Sequence, residues 1–186
     1  MGTDFYKSKK TKYVLLYGVS NAGKTLLLYN MQSSFESIKS IQPTKGYNYE
    51  EETKNSLGIF DVSGDPEQYE VVEIILKSID ISGIIFVVPL DNLTEFDKSK
   101  HLLQLVLANS YMTPDLPLFI IYNEKSDNLN WKEVESLDSI LFPEINRTKL
   151  KISKLITLKL NIGKLSKKRE EFDKKLEEFI ADFNKY

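Results

Sequence analysis

The chain has no cysteine among its 186 residues, which excludes disulfides, cysteine-ligated zinc, and prenyl or palmitoyl anchors. It has one histidine, His101, and two arginines, Arg147 and Arg169. Nothing in the sequence puts a nucleophile or a carboxylate beside His101, so a packing or surface role is expected of it. Two arginines far apart in sequence make no cluster of the kind a nucleotide kinase closes over a transferring phosphate. The longest apolar run, IIFVV at 84–88, is far too short to span a bilayer. No apolar signal core follows the basic N-terminus. Acidic residues outnumber basic ones only by 27 to 25, a formal net charge of -2, so no overall field draws the chain to nucleic acid or anionic membrane. The tyrosines are scattered and form no stacking platform for single strands. These absences predict a cytoplasmic protein with no nucleic-acid partner and no transmembrane segment. Met1-Gly2 leaves room for peripheral association with internal membranes, although the myristoylation pattern calls for Ser or Thr where Tyr6 stands.

What remains is ordinary globular material, 41% hydrophobic, long enough for one domain with a sizeable core. Residues 13–17 (YVLLY), 84–88 and 118–122 (LFIIY) read as buried strands. Residues 47–52 and 57–61 read as two strands about a polar turn at Lys54-Asn55, and 154–160 as the last strand. Helices are expected after residue 25, from Asn92 with Glu95 as reciprocal cap, from Asn130 with Trp131 as a packing residue, and over 166–183. Strands alternating with helices argue for an α/β fold with a mostly parallel sheet. The division expected is a flexible tail over 1–12 and one domain over 13–186.

Between the first strand and the first helix stands GVSNAGKT, residues 18–25. This is the Gly-x-x-x-x-Gly-Lys-Ser/Thr phosphate loop in its proper context. Gly18, Ser20, Asn21, Ala22, Gly23 and Leu26 would shape the cradle, whose backbone amides converge on phosphate oxygens at a helix N-terminus. Lys24 would reach the β- and γ-phosphates, and the Thr25 hydroxyl would bind Mg²⁺. Asp61-Val62-Ser63-Gly64 follows at a strand end, where Asp61 can hold Mg²⁺ through water and the Gly64 amide can meet a γ-phosphate. A third element, Glu124-Lys125-Ser126-Asp127, follows the LFIIY strand. Lys125 and Asp127 suit a guanine base, but Glu124 stands where Asn is expected, and Asn123 lies one residue early.

With these elements in order, the sequence resembles the Arf/Arl (ADP-ribosylation-factor-like) branch of the Ras-like small GTPases. The resemblance rests on QPTKGYNYE (42–50), NAGKT, LLLYNMQ and FDVSG, and covers about 13–127. It implies the P-loop NTPase fold of a small GTPase: a six-stranded, mostly parallel sheet flanked by helices. It implies GTP or GDP with Mg²⁺, and a switch in which Thr44 binds the metal and the γ-phosphate while Gly64 reports that phosphate to the second switch. It also implies effectors, an exchange factor and a GTPase-activating protein, with work in membrane trafficking or ciliary cargo transport.

Several departures carry expectations of their own. Asp65 stands where the family has the glutamine that orients the attacking water, so intrinsic hydrolysis should be weak; Gln68 lies three residues on. Glu124 in place of the bracing Asn should weaken nucleotide affinity. The guanine loop is not recognisable, and Leu160-Asn161-Ile162 is the nearest candidate. The hairpin between the switches, about 47–60, looks short. A non-hydrolysing GTP-binding scaffold, similar to the signal-recognition-particle receptor β-subunit, is the alternative; a P-loop nucleotide kinase is disfavoured by the two distant arginines.

Overall fold

The computed structural model describes residues 11–32, 42–90, 93–125 and 152–183. Six strands make one sheet: β1 (Lys12–Tyr17), β2 (Tyr47–Glu52), β3 (Leu57–Val62), β4 (Ile81–Pro89), β5 (Leu116–Asn123) and β6 (Ile152–Leu160). Their spatial order is β2-β3-β1-β4-β5-β6. Only the β2–β3 pair is antiparallel. The runs read as buried strands are the central ones: Val14 to Tyr17, Ile84 to Val88 and Leu118 to Ile121 are all fully buried. A strand covered on both faces needs apolar side chains at every position, not at alternate ones.

The antiparallel pair depends on a buried acid. Glu52 ends β2, and its carboxylate accepts the amides of Lys54 at 3.0 Å and Asn55 at 2.8 Å. It thereby closes the polar turn that the sequence places there.

Four helices flank the sheet among the described residues: α1 (Lys24–Met31), α2 (Tyr69–Ser78), α3 (Leu93–Leu107) and α4 (Arg169–Asp182). Helix α4 buries Phe172, Leu176 and Phe179, and Phe183 just beyond its end is buried with them; Phe119 of β5 meets Phe172 and Phe179 at ring separations of 6.2 and 5.9 Å. Gly83 in β4 lets this aromatic row approach, because a Cβ there would lie 2.6 Å from Phe183 and 2.7 Å from Phe179. The final helix starts later than the sequence suggests. Residues Ile162–Lys168 form a tighter 3₁₀ segment interrupted at Lys164 (φ -121°, ψ 29°), which lets both Ile162 and Leu165 be fully buried. On α3, Leu105 is 38% exposed. The expected caps at Asn92 and Asn130, Trp131, Arg147 and residues 1–10 lie outside the described residues. Among the described residues no helix is long and apolar enough to cross a membrane.

Candidate functional site

Strand β1 delivers the chain to the loop at 18–23, and α1 begins at Lys24. The loop turns through positive φ at Gly18 (142°), Asn21 (59°) and Gly23 (102°), conformations that glycine and asparagine tolerate best. A side chain at Gly18 would run into the Val87 carbonyl, and one at Gly23 would lie 2.6 Å from the Asn123 amide nitrogen. The first amides of α1 have no intrahelical partner, as at any helix start, and bring the positive end of the helix dipole to the loop. Lys24 is buried, and its ammonium donates to the carbonyls of Gly18 and Val19 at 2.9 Å each. Burial lowers its pKa to about 8, against the pull of Asp61.

Three oxygens converge beside it. The Thr25 hydroxyl donates to Asp61 Oδ2 at 2.7 Å and lies 3.1 Å from the Thr44 hydroxyl. Thr44 in turn donates to the same Asp61 oxygen at 3.3 Å. Asp61 is fully buried, and its other oxygen, Oδ1, has no hydrogen-bond partner among the described residues. Burial pushes the Asp61 carboxyl up, opposed by the Thr25 hydrogen bond, the Lys24 charge and Thr44. Hard oxygen donors about an orphaned, buried carboxylate oxygen fit a small divalent cation such as Mg²⁺. Among the described residues there is no rival cluster of three or more His, Asp or Glu side chains. A cavity of about 520 Å³ opens here, lined by Ser20, Asn21, Gly23, Lys24, Thr25, Leu26, Thr44, Gly64 and Lys125, among others. Ala22, within the loop, is fully buried.

The brace that the sequence seemed to lack is present. Asn123, the last residue of β5, donates from Nδ2 to the Ala22 carbonyl at 2.8 Å, and its Oδ1 accepts the Ile162 amide at 3.0 Å. The expectation that Glu124 removes this brace is therefore corrected. Strand β5 stays paired with β6 up to Asn123↔Leu160, which leaves Asn123, not Glu124, facing the loop. Glu124 is buried in the next position, its amide bonded to the Leu160 carbonyl at 2.9 Å. The 160–162 segment, the nearest candidate for a base-contacting loop, does lie at the site. Ile162 is held by Asn123 and, through its carbonyl, by Asn30 at 2.9 Å, while Asn161 donates to the Lys125 carbonyl at 3.4 Å. Asp127 lies outside the described residues.

Gly64 is pressed against the phosphate loop so closely that a Cβ would overlap the backbone from Gly18 to Ser20. Asp65 is committed to a local task. It caps the short 3₁₀ turn Pro66–Gln68 by accepting the Glu67 amide at 3.0 Å. Gln68 reaches across to Gly46, whose amide donates to its Oε1 at 2.6 Å. Ile162 belongs to the segment that the sequence offers as the nearest guanine-loop candidate, whereas the bonds of Asn123 to Ala22 and Ile162 and of Gln68 to Gly46 follow from no local motif.

The comparisons with known proteins agree with this geometry. The model of the ADP-ribosylation factor family matches residues 2–173. ADP-ribosylation factor-like protein 13B of Chlamydomonas reinhardtii is 30% identical over 64% of this chain, which spans only 22% of that relative. An ADP-ribosylation factor-like protein of Dictyostelium discoideum is 28% identical over 74% of this chain and 80% of its own length. ADP-ribosylation factor-like protein 3 of Saccharomyces cerevisiae is 27% identical over 72% and 69% respectively. Among solved structures, the Arl6 (BBS3) small GTPase of Trypanosoma brucei, bound to the nucleotide analogue GppNp, superposes with a TM-score of 0.71 at 21% identity. The match covers 92% of this chain and 99% of that one. At that identity the match speaks for the fold: a Ras-like P-loop fold with a six-stranded, mostly parallel sheet.

Proposed function

The chain belongs to the ADP-ribosylation factor family, and on that premise we propose that it is a GTP-binding switch that cycles between GTP and GDP with slow intrinsic hydrolysis. The observation that carries this reading is the convergence of Thr25, Thr44 and Asp61 beside the buried Lys24. Thr25 comes from α1, Asp61 from β3, and Thr44 from the segment before β2. That last segment is the one expected to close only over a γ-phosphate. Mg²⁺, when bound, neutralises phosphate charge. The side chains around it do the rest. Lys24 exchanges its two carbonyl partners for phosphate oxygens, the Gly64 amide meets the γ-phosphate, and Lys125 with Asp127 takes the guanine base.

Weak hydrolysis follows from Asp65. Its carboxylate already accepts the Glu67 amide, and an acceptor-only group cannot donate to a transferring phosphoryl oxygen. A GTPase-activating protein would supply the missing charge in trans. The hairpin offers a surface for effectors: Tyr47 is 51% and Tyr49 40% exposed, and both rings lie against Phe60 at 5.9 and 5.0 Å. The setting we assign is effector recruitment in membrane trafficking or ciliary cargo transport, in the cytoplasm and at internal membranes. Family membership supports that assignment.

The same Asp65 cap favours a second reading, a scaffold that holds GTP without turning it over. Competition binding tests the first requirement of both readings. GTP and GDP should displace a fluorescent guanine nucleotide in the presence of Mg²⁺ and ATP should not, and Lys24→Ala should abolish binding. Equal displacement by ATP would remove the guanine assignment.

A further inference from the structure

Gly46 ends the segment that carries Thr44, and it is held from across the site by both of its backbone groups. Its carbonyl accepts the Ser63 amide at 2.9 Å. Its amide donates to Gln68 Oε1 at 2.6 Å. Gly46 has φ of +71°, and a Cβ there would meet nothing within 4 Å. The left-handed turn is therefore what calls for glycine, not crowding.

The group that holds Gly46 is itself well anchored. Gln68 closes the short turn that starts at Pro66, its amide donating to the Asp65 carbonyl at 2.9 Å. The Asp65 side chain caps the same turn through Glu67. The carboxamide of Gln68 thus projects from a braced backbone directly ahead of α2. Thr44 is two residues from Gly46, a reach of roughly 7 Å even when fully extended. With Gly46 tethered at both its amide and its carbonyl, the Thr44 hydroxyl is confined near Thr25 and Asp61, where it is found.

We infer that Gln68 is a positioning residue that couples the two switch segments, favouring the closed arrangement in which Thr44 reaches the metal site. The inference rests on reading the site as one for Mg²⁺ and GTP. Its consequence is selective. The Gln68–Gly46 bond exists only when the first switch is closed. GTP has a γ-phosphate to hold that state and GDP has none. A contact made in one state alone shifts the balance between states by its own free energy. The bond should therefore raise affinity for the triphosphate and leave that for the diphosphate unchanged. For one net hydrogen bond the change is roughly fivefold.

The test uses the full chain with Gln68→Met, which keeps length and removes the acceptor, and Gln68→Glu, which keeps an acceptor. Dissociation constants are measured for GppNp and for GDP, each with Mg²⁺, alongside hydrogen exchange of the Gly46 amide and the melting temperature. Gln68→Met is expected to weaken GppNp about fivefold, leave GDP and melting unchanged, and speed exchange at Gly46 in the GppNp complex. Gln68→Glu should stay within about twofold of the parent for both nucleotides. Equal losses for both nucleotides, or no loss for either, would overturn the inference while leaving the GTPase reading in place. A parent protein that binds neither nucleotide would overturn that reading and the inference with it.

Discussion

Asn123 and Ala22 lie 101 positions apart in the chain, and the side chain of one holds the carbonyl of the other at 2.8 Å. The same side chain takes the Ile162 amide, so one carboxamide at the end of β5 fastens the phosphate loop to the segment after β6. Gly23 is packed against that carboxamide too, closely enough that no side chain fits there. The shape of the loop is thus set by contacts that no local motif contains.

Removing the carboxamide leaves a buried carbonyl and a buried amide without partners. Asn123→Ala should cost about 2–6 kcal/mol, given about 1–3 for each unsatisfied group, measured by urea unfolding. Glu124→Gln should change nucleotide affinity far less than Asn123→Ala does. The reverse order would return the brace to Glu124.

The buried Lys24 gives a pH signature. Its pKa in the folded protein is about 8, below the ordinary 10.5 because burial penalises the charge. Below pH 8 both folded and unfolded chains carry the proton, and the penalty is fully present. Between pH 8 and 10.5 the unfolded chain binds more protons, so this group's contribution makes the nucleotide-free protein more stable as pH rises. Bound phosphates should hold Lys24 charged. Nucleotide binding at pH 9 should therefore take up close to one proton, and at pH 7 much less. Titration calorimetry in buffers of different ionisation enthalpy reads this directly.

Asp65→Gln separates two tasks at one position. It removes a cap, which should lower stability by about 1 kcal/mol. It also supplies a donor where the family has one, which should raise turnover tenfold or more if the site cycles. Asp65→Asn keeps the cap and should leave both quantities near the parent. A Gln variant with unchanged phosphate release would favour the scaffold.

Gly64 has no room for a side chain against the phosphate loop. Gly64→Ala should force the second switch off the loop and weaken binding of a triphosphate analogue by about 2 kcal/mol, roughly thirtyfold. GDP, which needs no contact at Gly64, should bind as before. Equal weakening of both would mean that the clash is relieved by damage to the loop itself.

The parts of the fold that were legible in the sequence are those set by local pattern. VLLY, IIFVV and LFIIY read as central strands because burial on both faces demands unbroken apolar runs. The phosphate loop read directly because its chemistry needs those residues at that spacing. What escaped depends on pairing between distant segments. The role of Asn123 follows from where β5 stops against β6, which the Glu-Lys-Ser-Asp string alone does not reveal. Gln68 acquires its partner only when the segments carrying it and Gly46, 22 positions apart, are brought together. Glu52, within the acidic string of β2, looks like surface until its carboxylate is seen to close the hairpin turn.

The most direct measurement takes one purified sample, releases its nucleotide by heat for identification, then reloads the protein with GTP and Mg²⁺ and follows phosphate release. A cycling switch should yield bound guanine nucleotide, load GTP, and release phosphate slowly but measurably. A protein that carries no nucleotide and cannot be loaded would contradict the switch outright, leaving this chain with the fold of a GTPase and not its chemistry.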